Sequence, residues 1–249
     1  MKTRIYPLKT TGFRGIWSCL IMGLFMITGM LGGCTSSTTF QQNSRITPNK
    51  IEELVLTLSD LPEGPWRLSQ GQSLNNRKMA RENAMSHGRA DDWLRWFESW
   101  GRIDGYRVEF QREQPGMLAD SIVEDTVISE VETFRSVDGA MKSFREIGKI
   151  NQSEKSTRKG FEKRGIKIKL NRFEIRKNFG VGQECYMVYL RVVFMVPPFD
   201  FLEAIAVYWR REAIVSSIVW MSDNSAVFES DLIKLAKVQD HRIKQRQSK

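Results

Sequence analysis

Apolar residues occupy both parities of residues 184–196 (ECYMVYLRVVFMV). Successive side chains of a strand point to opposite faces, so a strand written this way needs cover on both. That requirement predicts a sheet with helices on each side, and the remaining segments fit it. Residues 202–209 and 213–221 read as a hairpin that follows directly, and residues 102–112 and 121–134 as two earlier strands rich in Val, Ile, Phe and Tyr. Ile166, Ile168 and Leu170 alternate with lysines, then the phase flips at Arg172 so that Phe173 and Ile175 become the apolar positions. A β-bulge or a bend is expected there.

Helical spacing recurs between these strands. Pro48 suits a first helical turn with Thr47 as N-cap, and Ile51, Leu54, Val55 and Leu58 follow at inward positions. The run 58–66, with two prolines and a glycine, ends that helix. Residues 91–100 place Trp93, Trp96, Phe97 and Trp100 on one face, and Gly101 stops them. Residues 137–150 carry Ala140, Met141, Phe144 and Ile147 inward. A last helix, capped by Asp223-Asn224-Ser225, turns Phe228, Leu232, Leu235 and Ala236 to the core. Helices and strands joined by hairpin-length connections imply an α+β fold built on an antiparallel sheet flanked by helices. No Pro/Gly/Ser-rich break follows residue 48, so residues 49–249 are expected to form one domain.

The N-terminus is of another kind. Lys2, Arg4, Lys9 and Arg14 precede an apolar run from residue 16 to 31, with no acidic residue before Cys34. That run is 16 residues long, short of the ~20 a membrane-spanning helix needs, and it ends on Leu31-Gly32-Gly33-Cys34. A cysteine after a small-residue pair is the arrangement that lipoprotein processing requires, with a signal peptide at 1–33 and a diacylglyceryl thioether on Cys34. Two acyl chains anchor a protein firmly, at ~0.8 kcal/mol per buried methylene. Residues 34–48 then read as the lipidated cysteine and a polar tether. The body is expected on the extracytoplasmic side of the cell membrane or outer membrane, with the lipid bilayer as its first partner.

Removing residues 1–33 from the 249 leaves 216, enough for a real core. Four of the 38 basic residues leave with the leader while all 29 acidic ones stay, so net charge falls from +9 to about +5. A nucleic-acid partner has little left to rest on. Of three cysteines, Cys19 departs and Cys34 is modified, so the remaining Cys185 is expected as a buried, inert thiol and the fold must stand on packing.

The order of these pieces resembles extracytoplasmic lipoproteins and receptor-kinase sensor domains with PsbP-like folds, of the LpqN and PknH-sensor kind. The residues that carry the likeness are Leu58-Ser-Asp-Leu-Pro-Glu-Gly64, Trp100-Gly-Arg102 with Gly105-Tyr106, and Asp138-Gly-Ala140. Val181-Gly-Gln-Glu184 and the basic terminal helix near Arg242-Ile243 complete it. Such proteins often place Gly-Asn where this chain has Arg210-Arg211-Glu212. The resemblance implies a PsbP-like α/β/α sandwich acting as a membrane-tethered binding or sensing module, and no catalytic set travels with it.

Catalytic signatures are missing from the sequence. It holds no G-x-S-x-G, H-E-x-x-H, C-x-x-C or phosphate-binding P-loop, and Gly180-Val-Gly182 precedes a strand rather than a helix. With His87 and His241 as the only histidines, neither a His-based triad nor a His metal site is expected, and no cofactor is expected either. Three candidate groups remain. Glu124, Asp125, Glu130 and Glu132 serve either as cross-strand partners of basic residues or as the paired carboxylates of an envelope hydrolase. Trp93, Trp96 and Trp100 serve either as core packing or as the wall of a ligand groove. The ten Lys and Arg between 155 and 177 include Lys163, Arg164, Lys167 and Lys169. They either guard a solvated helix end and edge strand or face anionic headgroups or a partner. The leading expectation is a non-catalytic binding or sensing lipoprotein, against a hydrolase or a structural assembly factor docking through a basic and aromatic surface.

Overall fold

The computed structural model describes residues 48–115, 122–195, 201–223 and 227–248. Residues 1–47, expected above to be a signal peptide, the lipidated Cys34 and a tether, therefore lie outside the described residues. Seven antiparallel strands form one sheet in the order β1-β2-β3-β7-β6-β5-β4. They are β1 (Arg67–Ser73), β2 (Arg102–Pro115), β3 (Ile122–Phe134), β4 (Ile168–Lys177), β5 (Glu184–Phe194), β6 (Phe201–Arg211) and β7 (Ile214–Asp223). Two meanders, β1-β2-β3 and β4-β5-β6-β7, meet where β3 pairs with β7. Between β1 and β2 run α1 (Asn76–Ser86) and α2 (Ala90–Ser99), and between β3 and β4 run α3 (Val137–Asn151) and α4 (Glu154–Lys163). The chain ends on α5 (Glu229–Gln247).

Both faces of the sheet are covered, as the two-sided apolar pattern demands. Tyr186, Val188, Leu190, Val192 and Phe194 of β5 pack with residues of α1 to α4, including Met79, Phe97, Phe144 and Phe161. Cys185 and Met187, on the other parity, pack with Leu232, Leu235, Ala236 and Ile243 of α5 and with Ile51 and Leu54. Cys185 is a buried free thiol. The phase flip at Arg172 is a bulge: the β4–β5 register slips between Leu170 and Arg172, leaving Asn171 opposite nothing.

Helix starts follow their caps. Asn75, Ser136 and Ser153 accept from the backbone N–H of Lys78, Gly139 and Ser156 and so begin α1, α3 and α4. Gly101, at φ +67°, ends the turn after α2 as expected.

Two expectations are corrected. The segment Pro48–Leu54 is a 3-10 helix rather than an α-helix. Three residues per turn align Ile51 with Leu54, both of which are buried, but the chain then extends and leaves Leu58 46% exposed. At the C-terminal helix, Phe228 is itself the N-cap and 63% exposed, not a core residue. Asp223 belongs to β7, and Asn224 and Ser225 lie outside the described residues.

Candidate functional site

Charged side chains sit beneath the α1–α3 layer where an apolar floor is the norm. The register places Arg107 of β2 directly across from Glu130 of β3, and Arg107 Nε donates to Glu130 Oε2 at 2.6 Å. Glu82, on the buried side of α1, takes a bond from Arg107 Nη1 at 3.0 Å. Two residues along β3, Glu132 Oε2 accepts from Arg102 Nε at 2.6 Å. Arg102 also donates to the Leu74 carbonyl and to Asn76 Oδ1, and lies over the Phe97 ring. All five charged groups are buried, and buried charges persist only when paired in this way.

Above Arg107, Glu130 and Glu132 lies a cavity of about 60 Å³ between the sheet and the helices. Met79, Trp93, Phe144, Tyr186 and Tyr208 wall it, with the half-buried Asn83, His87, Ile147, Ile150 and Asn151 around it. The Tyr186 and Tyr208 rings stack at 4.8 Å. Burial raises the pKa of Glu130, and the neighbouring Glu132 charge adds to the rise against the pull of Arg107. Burial pushes the Tyr186 hydroxyl up out of the titrating range. His87 is held below its ordinary range, first by burial and then by Lys163, Arg164 and Lys159, while its Nε2 lies 3.0 Å from the Ser156 carbonyl. A carboxyl group, an imidazole and an apolar wall thus border one small space.

The three tryptophans of the α2 face do different things. Trp93 is buried, lines the cavity and donates from Nε1 to the His87 carbonyl at 2.7 Å. Trp100 is core. Trp96, 45% exposed, rests its ring edge-on against Trp93 and stacks 6.1 Å from Trp100. Only Trp93 of the three borders the cavity, so the stripe is chiefly packing.

The acidic cluster is divided by the pleat. Glu130 and Glu132 face the cavity, whereas Asp125 points to the opposite face. There it holds Arg112 at 2.8 Å, with the guanidinium over Trp66 and Trp220. Glu124 is half-buried and stands near Glu109, whose pKa its charge raises.

The basic stretch divides too. Lys163 Nζ donates to the carbonyls of Ala84 and Gly88, and Arg164 Nη2 donates to Ser86 Oγ. Both are thereby turned onto the C-terminal end of α1 rather than outward. Lys167 and Lys169 project exposed from the edge at β4.

Glu82, Arg107 and Tyr208 escaped the reading of the sequence. A parity signal was available for one of them: Arg107 is a charge between the apolar Tyr106 and Val108, opposite a strand that places Glu130 and Glu132 on one face. Among the described residues no group of three or more metal-ligating side chains occurs, and no helix is long and apolar enough to cross a membrane.

No family model matches this chain, and no curated protein does. The crystal structure of the extracellular domain of PknH from Mycobacterium tuberculosis is similar to it, with a TM-score of 0.47 and 9% identity over 82% of this chain and 100% of that one.

Proposed function

We propose that this chain is an extracytoplasmic lipoprotein, held to the bilayer through Cys34, whose α+β body binds a small ligand in the cavity over Arg107 and Glu130 without transforming it. The observation that carries the binding role is the pairing of an apolar, aromatic wall with a buried charged floor. Pockets for small molecules combine such walls with a few placed polar groups. The leader supplies the location: its basic and apolar regions end on a small-residue pair and Cys34.

A hydrolase reading finds less support. Glu130 and Glu132 each give an oxygen to an arginine at 2.6 Å, and Asp125 faces away from them. A docking role for the basic stretch has Lys167 and Lys169 in its favour, while Lys163 and Arg164 are spent on α1.

The test is recovery of the occupant. The full chain, solubilised gently from membranes and then denatured, should release a small molecule detectable by mass spectrometry. Ile150→Trp, which fills the cavity from its half-buried wall, should not. Equal release from both proteins would remove the cavity from the proposal.

A further inference from the structure

Charge in the floor of the cavity does not balance. Glu82, Glu130 and Glu132 contribute three negative charges and Arg102 and Arg107 two positive ones, in a group whose members are all buried. Among the described residues, Arg107 is the only lysine or arginine lining the cavity. His87 cannot make up the difference, because burial and the nearby Lys163, Arg164 and Lys159 favour its neutral ring. From the facing elements, β5 and β6 offer only Tyr186 and Tyr208, α2 offers Trp93, and α3 offers Phe144, Ile147, Ile150 and Asn151. Glu109, further along β2 and also buried, adds acidity rather than relieving it.

The surplus has an address. Glu130 is 1% exposed and lines the cavity; its Oε2 is held by Arg107, while its Oε1 has no hydrogen-bond partner. A buried carboxylate oxygen left this way is costly unless a proton or a cation meets it. Resting on the reading above, we infer that the cavity takes a small primary ammonium ion, which donates to Glu130 Oε1 and lays its carbon chain against Trp93, Phe144 and the Tyr186–Tyr208 stack. Aromatic faces favour a cation as well as its alkyl stem. The volume of about 60 Å³ admits roughly four waters or an amine with a similar number of heavy atoms. A bare metal ion is the poorer fit, since the described residues offer no cluster of three ligating side chains.

Proton and ammonium compete for the same oxygen. With Glu130 raised in pKa by burial, binding strengthens as pH rises through neutrality and weakens below it.

The experiment titrates propylammonium, 1-propanol and propionate into the full chain in detergent and follows chemical shifts of the indole N–H groups. Propylammonium at pH 8 should bind saturably and at least tenfold tighter than the alcohol, and its affinity should fall severalfold at pH 6. Glu130→Gln should bring ammonium down to the level of the alcohol, and Ile150→Trp should abolish both. Alcohol binding as tight as ammonium would overturn the cation assignment while leaving the cavity a ligand site. If none of the three probes binds, or if Ile150→Trp binds them undiminished, the ligand-site reading itself fails. Should Glu130→Gln not fold, the pH series on the unmodified chain decides: ammonium affinity equal at pH 6 and pH 8 would sink the inference.

Discussion

Glu109 shows how one buried side chain sets a pH response for the whole fold. Burial pushes its pKa up to about 7, opposed by the Gln111 hydrogen bond and Arg107 and assisted by Glu124. A carboxyl whose folded pKa lies above its unfolded value near 4.5 takes up a proton more readily when folded. The stability it contributes is complete below pH 4.5 and is lost as pH rises through 7. Glu109→Gln, which mimics the protonated form, should therefore raise Tm at pH 8 by about 3–6 °C and leave it nearly unchanged at pH 5. Thermal melts followed by circular dichroism at the two pH values check this, and an equal shift at both would contradict it. The tryptophans make a parallel case. Trp93→Ala opens a hole under α1 and should cost about 3–5 kcal/mol in urea unfolding, whereas Trp96→Ala, at the surface, should cost less than about 1.5 kcal/mol. Similar losses would mean that Trp96 is as much core as its neighbour.

Individual elements owe their placement to a few contacts that no periodicity announces. A Cβ on Gly139, in the first turn of α3, would lie 1.9 Å from the Trp100 carbonyl at the end of α2. Gly139→Ala must shift α3 relative to the end of α2. Because α3 supplies Phe144, Ile147 and Ile150 to the cavity, the substitution should destabilise the protein by about 3 kcal/mol or more and loosen binding of any occupant. Urea melts and the propylammonium titration read the two effects separately. The link between α4 and α1 is polar. Lys163 meets carbonyls at the end of α1, where cations are favoured by the helix dipole. Lys163→Ala should cost about 0.5–1 kcal/mol, while Lys167→Ala and Lys169→Ala, exposed at the sheet edge, should be near neutral. Equal costs for all three would dismiss the cap. The same polarity hid these helices from sequence patterning. α1 buries Glu82 and Ser86 beside Met79 and Ala80, and α4 buries Thr157, Gly160 and Phe161, so neither carries a clean apolar stripe. The edge strand β1 (RLSQGQS) is masked for a like reason.

For the whole molecule, the N-terminal 33 residues and the sheet answer separate questions. If Cys34 is the anchor, Cys34→Ser should leave an unprocessed, unlabelled precursor when cells are fed a clickable fatty acid, and undiminished label would rule the anchor out. The body's architecture was legible from residues 102–221 because burial on both faces of a central strand forces apolar residues onto both parities, and because caps and bulges act over three or four residues. The α/β/α layering follows from that pattern alone. The site was legible only in fragments: Glu130, Glu132 and Trp93 stood out as residue types, without their relation to one another. Tertiary structure decided the rest. Arg107 meets Glu130 across 23 positions and Glu82 across 25, and Tyr208 arrives from a strand in the second meander. Local patterning reports which face of an element is buried, since hydrophobic burial has no direction. The partner of a buried charge depends on strand register and helix docking, which only the folded chain supplies.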